Sequence, residues 1–330
     1  MNENFTGMLN WNFGMSYGDA EISRNSTGKI ASVSIHSLEG KEEDEELNGN
    51  IWNHEGINLG EKFGAEMLDF DTPWDWIQDR INREDWTGIN VGDYIQGNTK
   101  QANIIYKAFI LGINTYKYLR DPNETHIDFA FRLYNASGST FNLSRAMNDG
   151  NCNNSLTNGT AAYKATDMYH YLNSLSGTIR TGASSTQEVD YTETGFLTRY
   201  VPDEILNRIV EKMISCPVRY ASATSLSSND TGRAETSLGK IWLLDICEIR
   251  PFSLVTNVVA SMSASYVVQY PIFANNTAFG MIAGSNIFWT RTPPAGTNST
   301  FITNHREYTK TLNPTSGSSF LPCFRLAKGV

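Results

Sequence analysis

The chain has 330 residues, of which 40% are hydrophobic and 18% are charged, and its formal net charge is −9. The hydrophobic fraction is typical of a folded protein and excludes an intrinsically disordered chain. The acidic balance argues against a general nucleic-acid-binding protein, which normally presents a basic face. The longest apolar stretch, residues 254–268, is interrupted by Thr, Asn and Ser and falls short of the roughly 18 apolar residues that span a bilayer. We therefore expect a folded protein with no membrane-spanning helix and no nucleic-acid partner.

Residues 1–64 differ from the rest of the chain in their sequence pattern and are interpreted as an N-terminal attachment arm. Glycines divide this part into short polar segments, and the alternation of apolar and polar residues over 30–35 predicts a strand or small hairpin. The segment Met1–Phe5 lacks the charged and apolar regions of a secretory leader, so we expect synthesis in a cytoplasm. The acidic block 39–46 is typical of a solvated loop, with cation binding as the alternative that the sequence leaves open.

Residues 65–330 are interpreted as one domain that contains both helices and strands. The clearest helix start is Thr72-Pro73-Trp74-Asp75, because Thr72 can cap, Pro73 fits the first helical position and Asp75 places negative charge in the first turn. We expect this helix to end near 86–88. Further strands are predicted over 91–95, 104–118 and 127–133, and further helices over 161–175 and 202–213.

Three short apolar-aromatic runs near the end of the chain predict the strands of a compact β-rich region. They lie at 240–244, 287–291 and 321–326. Burial is the default for large aromatic side chains in such runs and in the helix that begins at Pro73. The candidate core residues are Trp74, Trp242, Phe288, Trp289 and Phe324. Arg291 and Arg325 are expected to stack on aromatic rings or to pair with a carboxylate such as Glu248.

The sequence contains no recognisable catalytic, cofactor-binding or metal-binding motif. Asp69 and Asp71 are the most tempting carboxylate pair for glycoside hydrolysis, but they precede a helix start, which favours capping. The five histidines fall in separate segments, and the four cysteines form no CxxC pair. We predict no cofactor, no metal and no enzymatic activity, with a cell-wall glycosidase as the enzymatic alternative.

The order of the motifs resembles an uncharacterised domain family of tailed-phage virion proteins and Gram-positive surface proteins. The segments that carry the resemblance are 74–95, 169–175, 202–213, 240–248, 288–291 and 322–326. The final strand pattern is also similar to C-type-lectin-like modules, which implies an α+β fold with short antiparallel strands, a few packed helices and long loops. Display loops would then lie over 135–160, 177–193 and 293–319, near Asn153, Thr186 and Thr297. The Glu-Pro-Asn and Gln-Pro-Asp motifs of calcium-dependent lectins are absent.

The resemblance implies a structural protein of a tailed-phage virion that decorates the capsid, neck or tail. Residues 1–64 would attach it to other virion proteins, and residues 65–330 would face outward, in a homo-oligomer made in the bacterial cytoplasm. The alternative is a host-surface or glycan-binding module of a tail fibre or baseplate. That alternative predicts an exposed aromatic surface that binds host cell-surface polysaccharide.

Overall fold

The computed structural model describes residues 19–24, 30–36, 56–116, 125–148, 162–181, 185–217, 233–250, 269–274, 287–291, 301–304, 309–312 and 315–330. These residues form a mixed structure of helices and mainly antiparallel strands, as the sequence predicts for an α+β protein. None of the helices in these ranges has the length and apolar character needed to cross a bilayer.

The helices are short, with one exception. The described ranges contain α1 (Leu59–Lys62), α2 (Gly64–Met67), α3 (Pro73–Arg83), α4 (Asp167–Leu172), α5 (Phe196–Tyr200), α6 (Asp203–Leu206) and α7 (Ile246–Ile249). Two 3-10 turns, Ala162–Ala165 and Pro271–Ala274, accompany them.

The strands are more numerous than the helices. They are β1 (Asp19–Arg24), β2 (Ile30–His36), β3 (Tyr94–Asn98), β4 (Ile104–Ile113), β5 (His126–Asn135), β6 (Ser144–Arg145), β7 (Ser176–Arg180), β8 (Thr186–Asp190), β9 (Ile209–Val210), β10 (Met213–Pro217), β11 (Arg233–Ser237), β12 (Phe288–Trp289), β13 (Phe301–Asn304), β14 (Thr309–Leu312), β15 (Ser318–Phe320) and β16 (Cys323–Ala327).

Helix α3 begins with the cap that the sequence predicts. Thr72 Oγ1 accepts a hydrogen bond from the Asp75 backbone N–H at 3.2 Å, and Asp75 Oδ2 accepts one from the Thr72 N–H at 3.0 Å. This reciprocal pair is a capping box, which satisfies backbone donors that the first helical turn leaves open. The helix ends at Arg83, slightly before the predicted end near 86–88, and the next residue, Glu84, caps it with a left-handed φ of 56°.

Within the described ranges, the strands form two five-stranded sheets and three two-stranded hairpins. The main sheet has the order β3-β4-β5-β16-β9 and is antiparallel throughout. The second sheet has the order β14-β13-β12-β15-β6 and contains one parallel pair, β12 with β15. The hairpins are β1–β2, β7–β8 and β10–β11. The last strand of the chain, β16, therefore lies inside the main sheet, between β5 and β9.

The core lies where α3 packs on one face of the main sheet. Trp74 Nε1 donates a hydrogen bond to Tyr106 Oη at 2.8 Å, and the Trp74 ring meets Phe129 and Phe324 at centroid distances of 5.5 and 5.8 Å. Phe324 stacks in turn on Phe129 and Phe131. The five candidate core residues, Trp74, Trp242, Phe288, Trp289 and Phe324, are all buried. Each large side chain of this kind contributes about 2–3 kcal/mol through its removal from water.

The prediction of one helix over 202–213 is wrong. Helix α6 ends at Leu206, and β9 and β10 follow it. The apolar spacing of this segment fits a helix, but Ile209 pairs with Leu326 of β16 at the edge of the main sheet. That tertiary pairing overrides the local pattern. The helix predicted over 161–175 is shorter than expected and consists of a 3-10 turn followed by α4.

Two stretches predicted as irregular display loops contain regular structure. Residues 177–193 hold most of the β7–β8 hairpin, in which Thr186 is the exposed first residue of β8. The stretch 293–319 includes β13 and β14, which pair with each other. In the β7–β8 hairpin most side chains of β8 are polar and exposed, so the composition of this hairpin resembles that of a loop. The positions Asn153 and Thr297 lie outside the described residues.

The packed body begins before residue 65. Leu59, in the segment interpreted as the arm, is fully buried. The Ile57 N–H donates to Asp93 Oδ1, and the Tyr94 N–H donates to the Ile57 carbonyl, both at 2.9 Å. Residues 57–62 therefore join the β3 edge of the main sheet. Farther toward the start of the chain, the β1–β2 hairpin confirms the strand predicted over 30–35.

Candidate functional site

The two faces of the main sheet differ in chemistry. Successive side chains of a strand point to opposite faces, so Phe129 and Phe131 face α3 while Asp128 and Arg132 point to the other side. On that second face Arg325 lies directly opposite Asp128, and Lys107 lies directly opposite Arg132. The polar residues at one end of this face are buried, and those at the other end are partly exposed.

The buried end holds a group of charged and phenolic side chains, here termed the ionic cluster. Its members are Tyr116, Asp128, Lys212, Glu248, Tyr270, Arg291 and Arg325. None of them is more than 5% exposed. They come from seven separate segments, which include β5, α7 and β16, so the cluster lies where distant parts of the chain meet.

Asp128 is the first anionic centre of the ionic cluster. Arg325 donates to it through two nitrogens, Nε to Oδ1 at 2.7 Å and Nη2 to Oδ2 at 2.9 Å. Tyr270 Oη donates to the same Oδ2 at 2.6 Å. A two-pronged contact of this kind fixes the plane of the carboxylate as well as its position.

Glu248 is the second anionic centre. Lys212 Nζ donates to Oε1 at 2.7 Å, and Arg291 Nη1 donates to Oε2 at 2.5 Å. Tyr116 Oη also donates to Oε1. Lys212 links the two centres, because its Nζ donates to Tyr270 Oη at 2.6 Å and lies 4.0 Å from the centroid of the Tyr116 ring.

The charges in the cluster keep its carboxylates ionised. Burial alone would raise the pKa of Glu248, but the charges of Arg291 and Lys212 outweigh burial and lower the pKa to about 2. The pKa of Asp128 is held well below its usual value, because Arg325 and Lys212 outweigh the opposing effect of burial. Burial lowers the pKa of Lys212, and Glu248 and Asp128 partly offset that effect. We assign Lys212 as an ammonium ion, since its two acceptors and the neighbouring ring all stabilise the charged form.

The arrangement of the cluster suits a structural role. Asp245, 9% exposed and close enough to Arg291 to raise its pKa, adds a third carboxylate to the three cations Lys212, Arg291 and Arg325. The carboxylate oxygens of Asp128 and Glu248 all accept hydrogen bonds from within the protein. A buried, balanced network of this kind holds its segments in one geometry, because any displacement would leave a charge without its partner.

The partly exposed end of the same sheet face forms a second feature, here termed the open face. It consists of Tyr94 and Gln96 on β3, Lys107 on β4, and Arg132 and Tyr134 on β5. Lys107 Nζ lies 4.4 Å from the centroid of the Tyr94 ring and 5.5 Å from that of Tyr134, and it donates to Tyr94 Oη at 3.3 Å. The Arg132 guanidinium lies 5.8 Å from the Tyr134 ring. Burial raises the pKa of Tyr134. Lys107 contacts both rings, and Tyr134 contacts Arg132 as well.

A wide groove lies along α3. It has a volume of about 530 Å³ and is lined by Phe70, Asp75, Gln78, Asp79, Asn82, Asn207, Arg208 and Val330. Its carboxylates are already engaged, because Asp75 binds Arg208 and Thr72, and Asp79 binds Arg83. No group of three or more His, Cys, Asp and Glu side chains in the described ranges is placed to hold a metal ion.

The chain matches no known protein-family model, no curated protein and no solved structure. The family resemblance, the lectin-like fold and the phage setting therefore stay predictions.

The sequence identified part of the ionic cluster. The expected pairing of Arg291 with Glu248 is confirmed, whereas Arg325 pairs with Asp128 instead. Sequence reasoning does not find Lys212, because the apolar spacing of 202–213 predicts a helix in which Lys212 has no assigned role. The local signal for Lys212 is its position immediately before the strand β10. Asp128 lies within a strand of aromatic and apolar residues, and a carboxylate in that setting indicates a buried ionic partner.

Proposed function

We propose that the protein is a non-enzymatic structural protein of a tailed-phage particle that displays a rigid folded body outward. The phage setting comes from the resemblance of the sequence. The observation that supports the structural role is the ionic cluster, in which seven buried charged and phenolic side chains bind one another.

Display on a particle favours a body whose segments are held firmly in place. The cluster provides this, because it links the terminal strand β16 to α7 and to the segments that carry Lys212 and Arg291. On the outside, the β7–β8 hairpin and the open face present side chains to solvent. Rigid elements behind exposed polar and aromatic surfaces are typical of display scaffolds.

The proposal is tested by quantitative mass spectrometry of purified particles from the genome that encodes this chain. We expect the chain at a fixed ratio to the major capsid protein, and we expect that ratio to persist through gradient purification and a salt wash. Production of the chain in infected cells without incorporation into particles would contradict the proposal. Release of reducing sugar from host cell walls by the purified protein would contradict its non-enzymatic part.

A second candidate function is binding of host cell-surface polysaccharide. The specific observation that favours it is the open face, where two partly exposed tyrosine rings lie beside lysine and arginine side chains. Tyrosine is common at recognition surfaces, because its ring offers contact area with little conformational freedom to lose.

A further inference from the structure

Lys107 is a cation held beside two aromatic rings. It lies on the sheet between the rings of Tyr94 and Tyr134, and it donates a hydrogen bond to the Tyr94 hydroxyl. No carboxylate of the described residues lies within ion-pair distance of Lys107. Three other lysines of these ranges do pair with acids: Lys100 with Asp203, Lys212 with Glu248 and Lys328 with Glu84.

The neighbour directly opposite Lys107 carries the same charge. Lys107 and Arg132 form a cross-strand pair, and like charges in that position destabilise a sheet. The tyrosine rings offset part of this repulsion through cation–π contacts. An anion bound between the two cations would offset it further, and this gives the open face a preference for negatively charged ligands.

The rest of the open face indicates what kind of anion fits. The two tyrosine rings offer apolar surface of the kind that stacks against the faces of sugar rings, and the exposed Gln96 offers an amide group for hydroxyls. A nucleic acid fits less well, because it needs a basic stripe that follows many phosphates, and the chain carries a net charge of −9.

We propose that the open face binds an acidic polysaccharide, with the carboxylate of a sugar unit between Lys107 and Arg132 and its ring against Tyr94 or Tyr134. This inference rests on the second candidate function, polysaccharide binding, and not on the structural role in a particle. It places the binding surface on the open face, and it predicts that the polysaccharide is negatively charged.

The experiment measures binding of the full chain to polygalacturonate, with dextran as the neutral polysaccharide and a thymidine oligonucleotide as the nucleic-acid probe. We expect binding of polygalacturonate alone, and we expect it to weaken as salt rises. In the variant Lys107→Gln, the dissociation constant should rise about tenfold, since one charge-assisted contact is lost. Lys107→Arg should retain most of the affinity, because it keeps the positive charge.

The matched control is Lys328→Gln, which removes the same charge from an exposed site paired with Glu84. We expect its affinity to stay within about twofold of the unaltered chain, since an exposed charge outside the binding face contributes little. Thermal unfolding of each variant verifies that the body is intact. The inference is overturned if polygalacturonate does not bind, or if dextran or the oligonucleotide binds as tightly as polygalacturonate. It is also overturned if Lys107→Gln and Lys328→Gln lose affinity equally. None of these results bears on incorporation into a particle, which the mass-spectrometric experiment tests separately.

Discussion

Glu248 shows how a buried charge can be required without making the protein more stable than an apolar core would. Its two oxygens accept from Lys212, Arg291, Tyr116 and the Asp245 backbone N–H. Transfer of these ions from water to the interior costs several kcal/mol each, and their mutual attraction offsets that cost only while every partner is present. The cluster therefore specifies one arrangement of the segments, and its members should respond strongly to single changes.

Substitution of Glu248 by Gln tests this interdependence. We expect Glu248→Gln to lower the free energy of unfolding by about 3–5 kcal/mol, because Lys212 and Arg291 then remain buried without their carboxylate. The double variant Lys212→Met/Glu248→Gln should lose clearly less than the sum of the two single losses. Urea unfolding followed by circular dichroism measures all three. Strictly additive losses would show that the two side chains do not act together.

The ionised carboxylates of the ionic cluster make the free energy of unfolding depend on pH. The pKa of Glu248 falls from its usual 4.5 to about 2 in the folded protein, so an unfolded chain takes up a proton first as the pH falls. The contribution of Glu248, about 3 kcal/mol, is complete above roughly pH 5 and is lost as the pH falls toward 2. The lowered pKa of Asp128 acts in the same direction.

We therefore expect the free energy of unfolding to decrease between pH 5 and pH 2, as measured by urea titration at several pH values in the range where carboxylates titrate. In Glu248→Gln the decrease should be shallower. The exposed Asp69→Asn should follow the unaltered chain. A decrease of equal steepness in Glu248→Gln would mean that other carboxylates cause it.

At the scale of single elements, α3 depends on its capping box. We expect Thr72→Ala to cost about 1 kcal/mol, because the Asp75 N–H loses its acceptor, while Thr72→Ser should cost much less. Thr186→Ala, on the exposed β7–β8 hairpin, is the control and should change stability by less than about 0.5 kcal/mol. Thermal unfolding of the three variants gives the comparison. An equal loss of stability in Thr72→Ala and Thr186→Ala would show that the cap at Thr72 does not stabilise α3.

The elements that the sequence predicts well are those with local signals. Thr72 and Pro73 mark the start of α3, and the apolar runs of β4, β5 and β16 match strands in the structure. The failures occur where distant pairing decides the outcome. Ile209 fits a helical pattern, yet its partner in β16 places it in a strand.

At the scale of the whole molecule, β16 joins the end of the chain to a strand formed much earlier in it. It pairs with β5, about two hundred positions earlier in the chain, and it contributes Phe324 to the aromatic core and Arg325 to the ionic cluster on its two faces. Long-range pairing of this kind makes the body depend on one short segment.

We expect Phe324→Ala to cost about 3–5 kcal/mol, because it leaves a cavity among Trp74, Phe129 and Phe131. Phe324→Leu, which fills more of the space, should cost less. Chemical denaturation of both variants gives the values. A loss below 1 kcal/mol in Phe324→Ala would show that the main sheet does not depend on β16.

The same long-range geometry limits what the sequence reveals of the candidate site. Tyr94, Lys107 and Arg132 have no unusual spacing along the chain, and only the registers of β3 with β4 and of β4 with β5 place them side by side. Asp128 and Arg325 are 197 positions apart, so their pairing cannot be derived without the strand order. Composition and motifs indicate a folded α+β protein, and pairing between distant strands determines its surfaces.

The most direct test of the proposed role is cryo-electron microscopy of the intact particle, with the chain located in the density. We expect the folded body on the outside, with the β7–β8 hairpin and the open face directed to solvent and the attachment made through residues 1–64. Density in which the open face is covered by another virion protein, or particles that lack the chain altogether, would contradict it.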